Sequence, residues 1–178
     1  MKKQSKILLA VLGVLIVGAI VLASTNSSLF QGKLTSSGNI NKAEFASLVV
    51  KNAGLETAPC NVFSDVPENV WFNGYVCALY NQGIVKGFAD GTFKPYESLT
   101  RAEAAKIIHL AFGMEYSCTL PKLFKDIDNL SWYYDYVNQL AAYDFFSKDV
   151  QIGSNFKPSD VLTKSAAARW FAKAANLN

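Results

Sequence analysis

The chain repeats itself, so its fold has to be assembled from the repeating unit. FSDVPENVWFNGYVCAL, from Phe63, matches FKDIDNLSWYYDYVNQL, from Phe124, at an offset of 61 residues. Asp65 aligns with Asp126, Trp71 with Trp132, Tyr75 with Tyr136 and Val76 with Val137. Further on, TFKPYESLTRAEAAKI matches NFKPSDVLTKSAAARW at an offset of 63, so the later copy carries a two-residue insertion. A shorter upstream copy, GNINKAEFASLVVKNAGL, matches SLTRAEAAKIIHLAFG at an offset of 59. It pairs Ile40 with Leu99, Asn41 with Thr100, Lys42 with Arg101 and Glu44 with Glu103. No counterpart of its front half is found upstream. The stretch from Ser24 to Asn39, STNSSLFQGKLTSSGN, is rich in Ser, Thr, Asn and Gly and reads as a flexible linker.

Each full copy reads as helix, irregular middle, helix. The first helix is predicted near Val70 to Gln82, with Phe72, Val76, Leu79 and Tyr80 on one face; its later counterpart shows Tyr133, Val137, Leu140 and Ala141. The second helix shows Ala104, Ile107, Ile108 and Ala111. Its relatives show Phe45, Leu48, Val49 and Asn52, then Ala167, Trp170, Phe171 and Ala174. Three such helices, each with one apolar stripe, predict a mainly α fold built on a three-helix bundle. In the middle, GIVKGFADGTFKP holds Gly83, Gly87 and the Asp90-Gly91 pair, which predicts a tight hairpin turn between short extended runs. The later copy, DFFSKDVQIGSNFKP, lacks both equivalent glycines and the Asp-Gly turn. The ligand spacing and terminal Glu of an EF-hand are absent, which argues against calcium.

The second helices share an electrostatic oddity. Thr100 and Glu103 form a capping box, in which the hydroxyl takes the N3 amide and the carboxylate reaches back to the cap amide. Between them, at the first helical position, stands Arg101, where the positive end of the helix dipole disfavours a cation by a few tenths to about 1 kcal/mol. Lys42 and Lys164 occupy the same position in the other copies. Two explanations stand side by side. The long basic chains curl away to solvent and ancestry copied them, or these cations, backed by helix N-termini, meet an anion.

The chain begins MKKQSK and then runs apolar from Ile7 to Ala23, a basic start and apolar run that mark an export signal. The run would be roughly 25 Å long as a helix, which suits a signal cleaved after Ala23 and a retained membrane anchor alike. Either way the remainder is delivered outside the cytoplasm. Lys2, Lys3 and Lys6 belong to this leader; without them 14 basic residues face 14 acidic ones. That balance argues against nucleic acid as a partner.

Of the three cysteines, Cys60, Cys77 and Cys118, one disulfide is expected in an oxidising compartment. Three pairings are possible, beside three unpaired buried thiols. Cys60–Cys77 is favoured because the turn after Cys60 must fold back onto the helix carrying Cys77. No Cys/His cluster suggests a metal, and no cofactor motif is present. His109, the single histidine, lies in an apolar helix pattern, and no GxSxG or HExxH signature suggests catalysis. A non-enzymatic role is expected.

FSDV, Trp71, GIVKGFADGTFKP and LTRAEAAKII stand in the order that resembles an S-layer homology (SLH) repeat. The resemblance extends from about Ile40 to Leu177. It divides the chain into a leader or anchor (1–23), a linker (24–39), a partial repeat (40–59), a full repeat (60–117) and a degenerate full repeat (118–178), in which Ala166 replaces the capping Glu. The resemblance implies a pseudo-threefold helical bundle. It also implies non-covalent attachment to a cell-wall secondary polymer or peptidoglycan-linked glycan, often one bearing a pyruvyl ketal and hence a carboxylate. Carried over by motif, the ligand-binding residues are Arg101, Lys42 and Lys164, with Asp65, Trp71, Gly87, Asp126 and Trp132 from the loops. The missing half-copy and the degenerate last copy leave fewer binding sites than a complete trio. The alternative is an envelope domain, membrane-tethered through residues 7–23 if the leader is retained, that holds the fold for structural or protein contacts and has lost glycan binding.

Overall fold

The computed structural model describes residues 38–114, 120–146 and 148–174; the expected leader, most of the linker and Cys118 lie outside them. Among the described residues there are five helices: α1 (Lys42–Ala53), α2 (Asn73–Asn81), α3 (Arg101–Ala111), α4 (Tyr134–Ala142) and α5 (Lys164–Ala174). None is long and apolar enough to cross a membrane. The helices α1, α3 and α5 begin the three copies of the capped motif. Each presents its apolar stripe inward: Phe45 and Val49, then Ala104 and Ile108, then Ala167 and Trp170, are all buried. Helix α1 packs against both α3 and α5, while α2 covers α1 and α4 covers α3.

Short lead-ins tie the copies together ahead of these helices. Asn41 bridges to Ser98, Thr100 to Val161 and Thr163 to Asn39, so each copy pairs with the next and the third returns to the first. The same circuit satisfies the helix-start amides, which have no partner within their own helix. The N–H of Lys42 donates to the Glu97 carbonyl, that of Arg101 to Asp160 and that of Lys164 to Gly38, each at 2.9 Å. Gly38 and Asn39, expected to end a flexible linker, are therefore part of the fold.

Two other expectations need correction. The first helix of each full copy is shorter than its apolar pattern: α2 starts at Asn73, and Val70 to Phe72 form a turn, with no side-chain cap on Phe72. The Asp90-Gly91 turn forms, with Asp90 Oδ1 accepting from the Thr92 N–H and hydroxyl, and Phe88 N–H donating to Thr92. It does not join two strands. The chain on either side turns inward to pack Phe93 and Ile84, both buried, so no ladder is continued.

The Cys60–Cys77 disulfide is present, with the Cα atoms 5.8 Å apart. Asn73 braces the same loop, exchanging hydrogen bonds with the backbone of Cys60 and donating to the carbonyl of Val66. In the last copy Asn138 stands at the place of Cys77, and its Oδ1 accepts from the Leu123 N–H at 3.0 Å. One copy thus pins its loop to the helix covalently and the other by a hydrogen bond.

Candidate functional site

The capping boxes of α1 and α3 are complete: Asn41 with Glu44, and Thr100 with Glu103. In α5 the Thr163 hydroxyl accepts from the Ala166 N–H, but no carboxylate returns. Combined with the lead-in bonds, the boxes occupy the first-turn amides. At α3 the N–H groups of Arg101, Ala102 and Glu103 donate to Asp160, Pro158 and the Thr100 hydroxyl. The starts of α1 and α3 are therefore not open to an anion through their backbone. The side chains of the basic residues remain, and each reaches toward the next copy. Lys42 pairs with Glu97 at 3.1 Å, Arg101 with Asp149 at 2.7 Å and Lys164 with Glu44 at 2.8 Å. The carboxylates follow the same circuit as the bridges.

A groove of about 360 Å³ opens between the first and second copies, beside Lys42. Its walls are apolar, with Phe45, Ile84 and Ile107, and it carries the cations Lys42, Lys86 and Lys106 beside one carboxylate, Glu103, which is engaged in the capping box of α3. Such a mixture of apolar wall and few charged groups is typical of ligand clefts. The Lys42 ammonium lies 4.6 Å from the centre of the Phe88 ring, and Lys106 lies 5.7 Å from that of Trp132. Trp132 comes from the third copy and is 56% exposed, so all three copies contribute to this groove. The Lys42–Glu97 pair is solvent-facing on the glutamate side and is worth little to stability.

The corresponding cleft between the second and third copies is polar and holds Arg101. Here the cation is committed. Arg101 is 8% exposed, donates through Nε to the Phe156 carbonyl, and lies over the Phe156 and Trp170 rings. Asp149 accepts from Arg101, from Arg169 at 2.6 Å and from the Trp170 indole at 3.3 Å. Burial pushes the Asp149 carboxyl up, but hydrogen bonds from Arg169 and Arg101, with their charges, outweigh it and hold the group below its usual value of 3.8.

The remaining expected site residues fall into distinct places. Asp65 spends both carboxylate oxygens on the amides of Phe93 and Lys94, at 2.8 and 2.7 Å. Asp126 does the same for Phe156 and Lys157. Lys94 and Lys157 both have φ of 60°, so each aspartate stabilises a left-handed non-glycine turn. Gly87, at φ 73°, lines the first groove; a Cβ there would come within 2.2 Å of the Phe63 ring and 2.8 Å of the Thr92 carbonyl. Trp71 is 60% exposed and sits with Phe72 and Tyr75, away from the first groove. The structure thus brings together Lys42, Gly87 and Trp132. It sets Arg101, Lys164 and Trp71 elsewhere and gives Asp65 and Asp126 to the backbone. Sequence reasoning missed Lys86, Lys106, Phe88 and Asp149. The first three lie inside motifs already quoted, where a count of cations on either side of the middle loop would have found the two lysines.

Residues 62–105 and 123–168 match the S-layer homology domain. The chain is 43% identical over 81 residues to the middle cell wall protein of Brevibacillus brevis, an alignment covering 43% of this chain and 8% of that protein. It is 29% identical over 156 residues to S-layer protein EA1 of Bacillus anthracis, covering 88% of this chain and 17% of that protein. An endoglucanase of a Bacillus species is 31% identical over 106 residues, 60% of this chain and 11% of the enzyme. The chain spans less than a fifth of the length of these relatives. With two stretches that together make up half of its length matched to that domain, the chain belongs to the S-layer homology family.

Proposed function

We propose that this chain is a non-catalytic module of the cell envelope that holds a wall glycopolymer in the groove between its first and second copies. The observation that carries the reading is the groove itself: three lysines around an apolar cleft, with an exposed tryptophan at its rim. An ammonium that faces a replaceable, solvent-exposed glutamate is available to a ligand carboxylate, such as that of a pyruvyl ketal. The Trp132 ring offers a sugar an apolar face. Similarity to cell-wall and S-layer proteins supports the envelope setting. The part of the endoglucanase that the chain matches is small, and no catalytic constellation is built into the groove, so similarity to that enzyme supports no turnover here.

Lys42 replaces Arg101 as the central cation of this reading, because Arg101 already has a buried carboxylate. The test is co-sedimentation of the purified full chain with cell-wall sacculi, with and without their attached glycopolymer. Binding is expected to require the polymer and to weaken at least about tenfold in Lys42→Ala, as loss of a charge-assisted hydrogen bond implies. Trp132→Ala is expected to weaken it further. Sedimentation indifferent to both the polymer and Lys42 would leave the domain as an envelope scaffold for protein contacts.

A further inference from the structure

Arg101 aligns with Lys42, yet the carboxylate that faces it, Asp149, is not the counterpart of the Glu97 that faces Lys42. The hydrogen bonds from Gly83 to Tyr80 and from Ile84 to Leu79 recur as Asp144 to Ala141 and Phe145 to Leu140. The offset of 61 therefore holds through this turn, but the bond from Gly91 to Phe88 recurs as Ser154 to Gln151, so the offset has grown to 63 by there and Asp149 lies in the stretch that carries the insertion. The longer stretch of the last copy brings a carboxylate against this groove's cation. Nearby, Phe146 stands at the place of Val85 and is buried, where Val85 lines the open groove.

We infer that Asp149 is a resident ligand: in the second groove it occupies the place that an external carboxylate takes in the first, so of these two grooves only the first is open to a ligand. This rests on the reading of the first groove as a carboxylate site. The asymmetry follows from what an incoming ligand must displace. Beside Lys42 the competitor is Glu97, exposed and held by a surface pair. Beside Arg101 it is a carboxylate that is 9% exposed, holds two guanidinium groups and an indole, and is tethered within the fold. A tethered group acts at an effective concentration that a dissolved ligand seldom reaches. The Arg101 Nη2 is buried without a hydrogen-bond partner, so the guanidinium has unused donor capacity once Asp149 is gone.

Calorimetric titration of the full chain with a methyl hexopyranoside bearing a pyruvyl ketal tests this, with the unketalised sugar as control. Wild type is expected to bind one ligand per chain, and Lys42→Ala to lose at least about tenfold in affinity. Asp149→Asn is expected to bind two. The double variant Lys42→Ala/Asp149→Asn is expected to recover one site, now at Arg101. Asp149→Ala, which removes the carboxylate altogether, is a second route to the same opening. Circular dichroism establishes that each variant is folded. Two sites in the wild type overturn the inference without recourse to any variant, as does a folded double variant that binds nothing. Failure of the folded wild type to bind at all removes the groove reading itself, a result distinct from either.

Discussion

A cation at the first position of a helix is unfavourable for that helix taken alone, and here each is answered by a carboxylate of the next copy. The three answers differ in depth. Lys42–Glu97 and Lys164–Glu44 have partly exposed glutamates, whereas Arg101 is buried and the Asp149 side chain is 9% exposed. Breaking a buried pair by removing one partner costs about 3–5 kcal/mol, because the other charge is left uncompensated. Asp149→Ala should therefore lower the urea midpoint of unfolding far more than Glu97→Ala. The pair is also linked to pH. The folded Asp149 carboxyl lies below its usual 3.8, so its contribution is complete above that value and is lost as pH falls through the folded one. The stability gap between wild type and Asp149→Asn should stay constant from neutral pH to about pH 5 and narrow below about pH 4, as read by urea titrations across that range.

At the scale of elements, the capped helices were legible because their signals are local. A Thr or Asn three residues before Glu, followed by an apolar stripe, specifies a start and a face, and α1 and α3 begin where that pattern says. The start of α2 was misjudged because Phe72 is apolar and in phase without being helical; nothing within a few residues records that its backbone caps the turn. The coverage of the helix-start amides was illegible for a different reason. It is made by carbonyls of another copy, and any residue supplies a carbonyl. Asp149 escaped notice because it lies in a stretch whose lost glycines read as decay, although the same change placed a charge where it is used. The two full copies also differ in how they hold the loop ahead of their first helix. Removing the bridge with Cys60→Ala/Cys77→Ala closes no 17-residue loop in the unfolded chain and should cost about 3 kcal/mol. Hydrogen exchange should show the loss at residues 60–77 and leave the Asn138-braced loop of the last copy unchanged.

At the scale of the molecule, the circuit of bridges makes the copies interdependent. Asn39 with Thr163 and Glu44 with Lys164 join the two ends of the described fold, 120 residues apart in the second case. A chain stopped after Pro158 keeps four of the five helices but loses the partners of Asn39, Thr100 and Glu44. It should unfold over a broader denaturant range than the full chain, with a lower slope, because an open row of copies no longer melts as one unit. The closure also sets an order in time. A chain made from its N-terminus presents Asn39 well before Thr163, so the first copy must wait, with one side unmatched, until the two later copies have been made. During that interval proteases and chaperones meet an unfinished domain, and it is the arrival of α5 that ends the exposure.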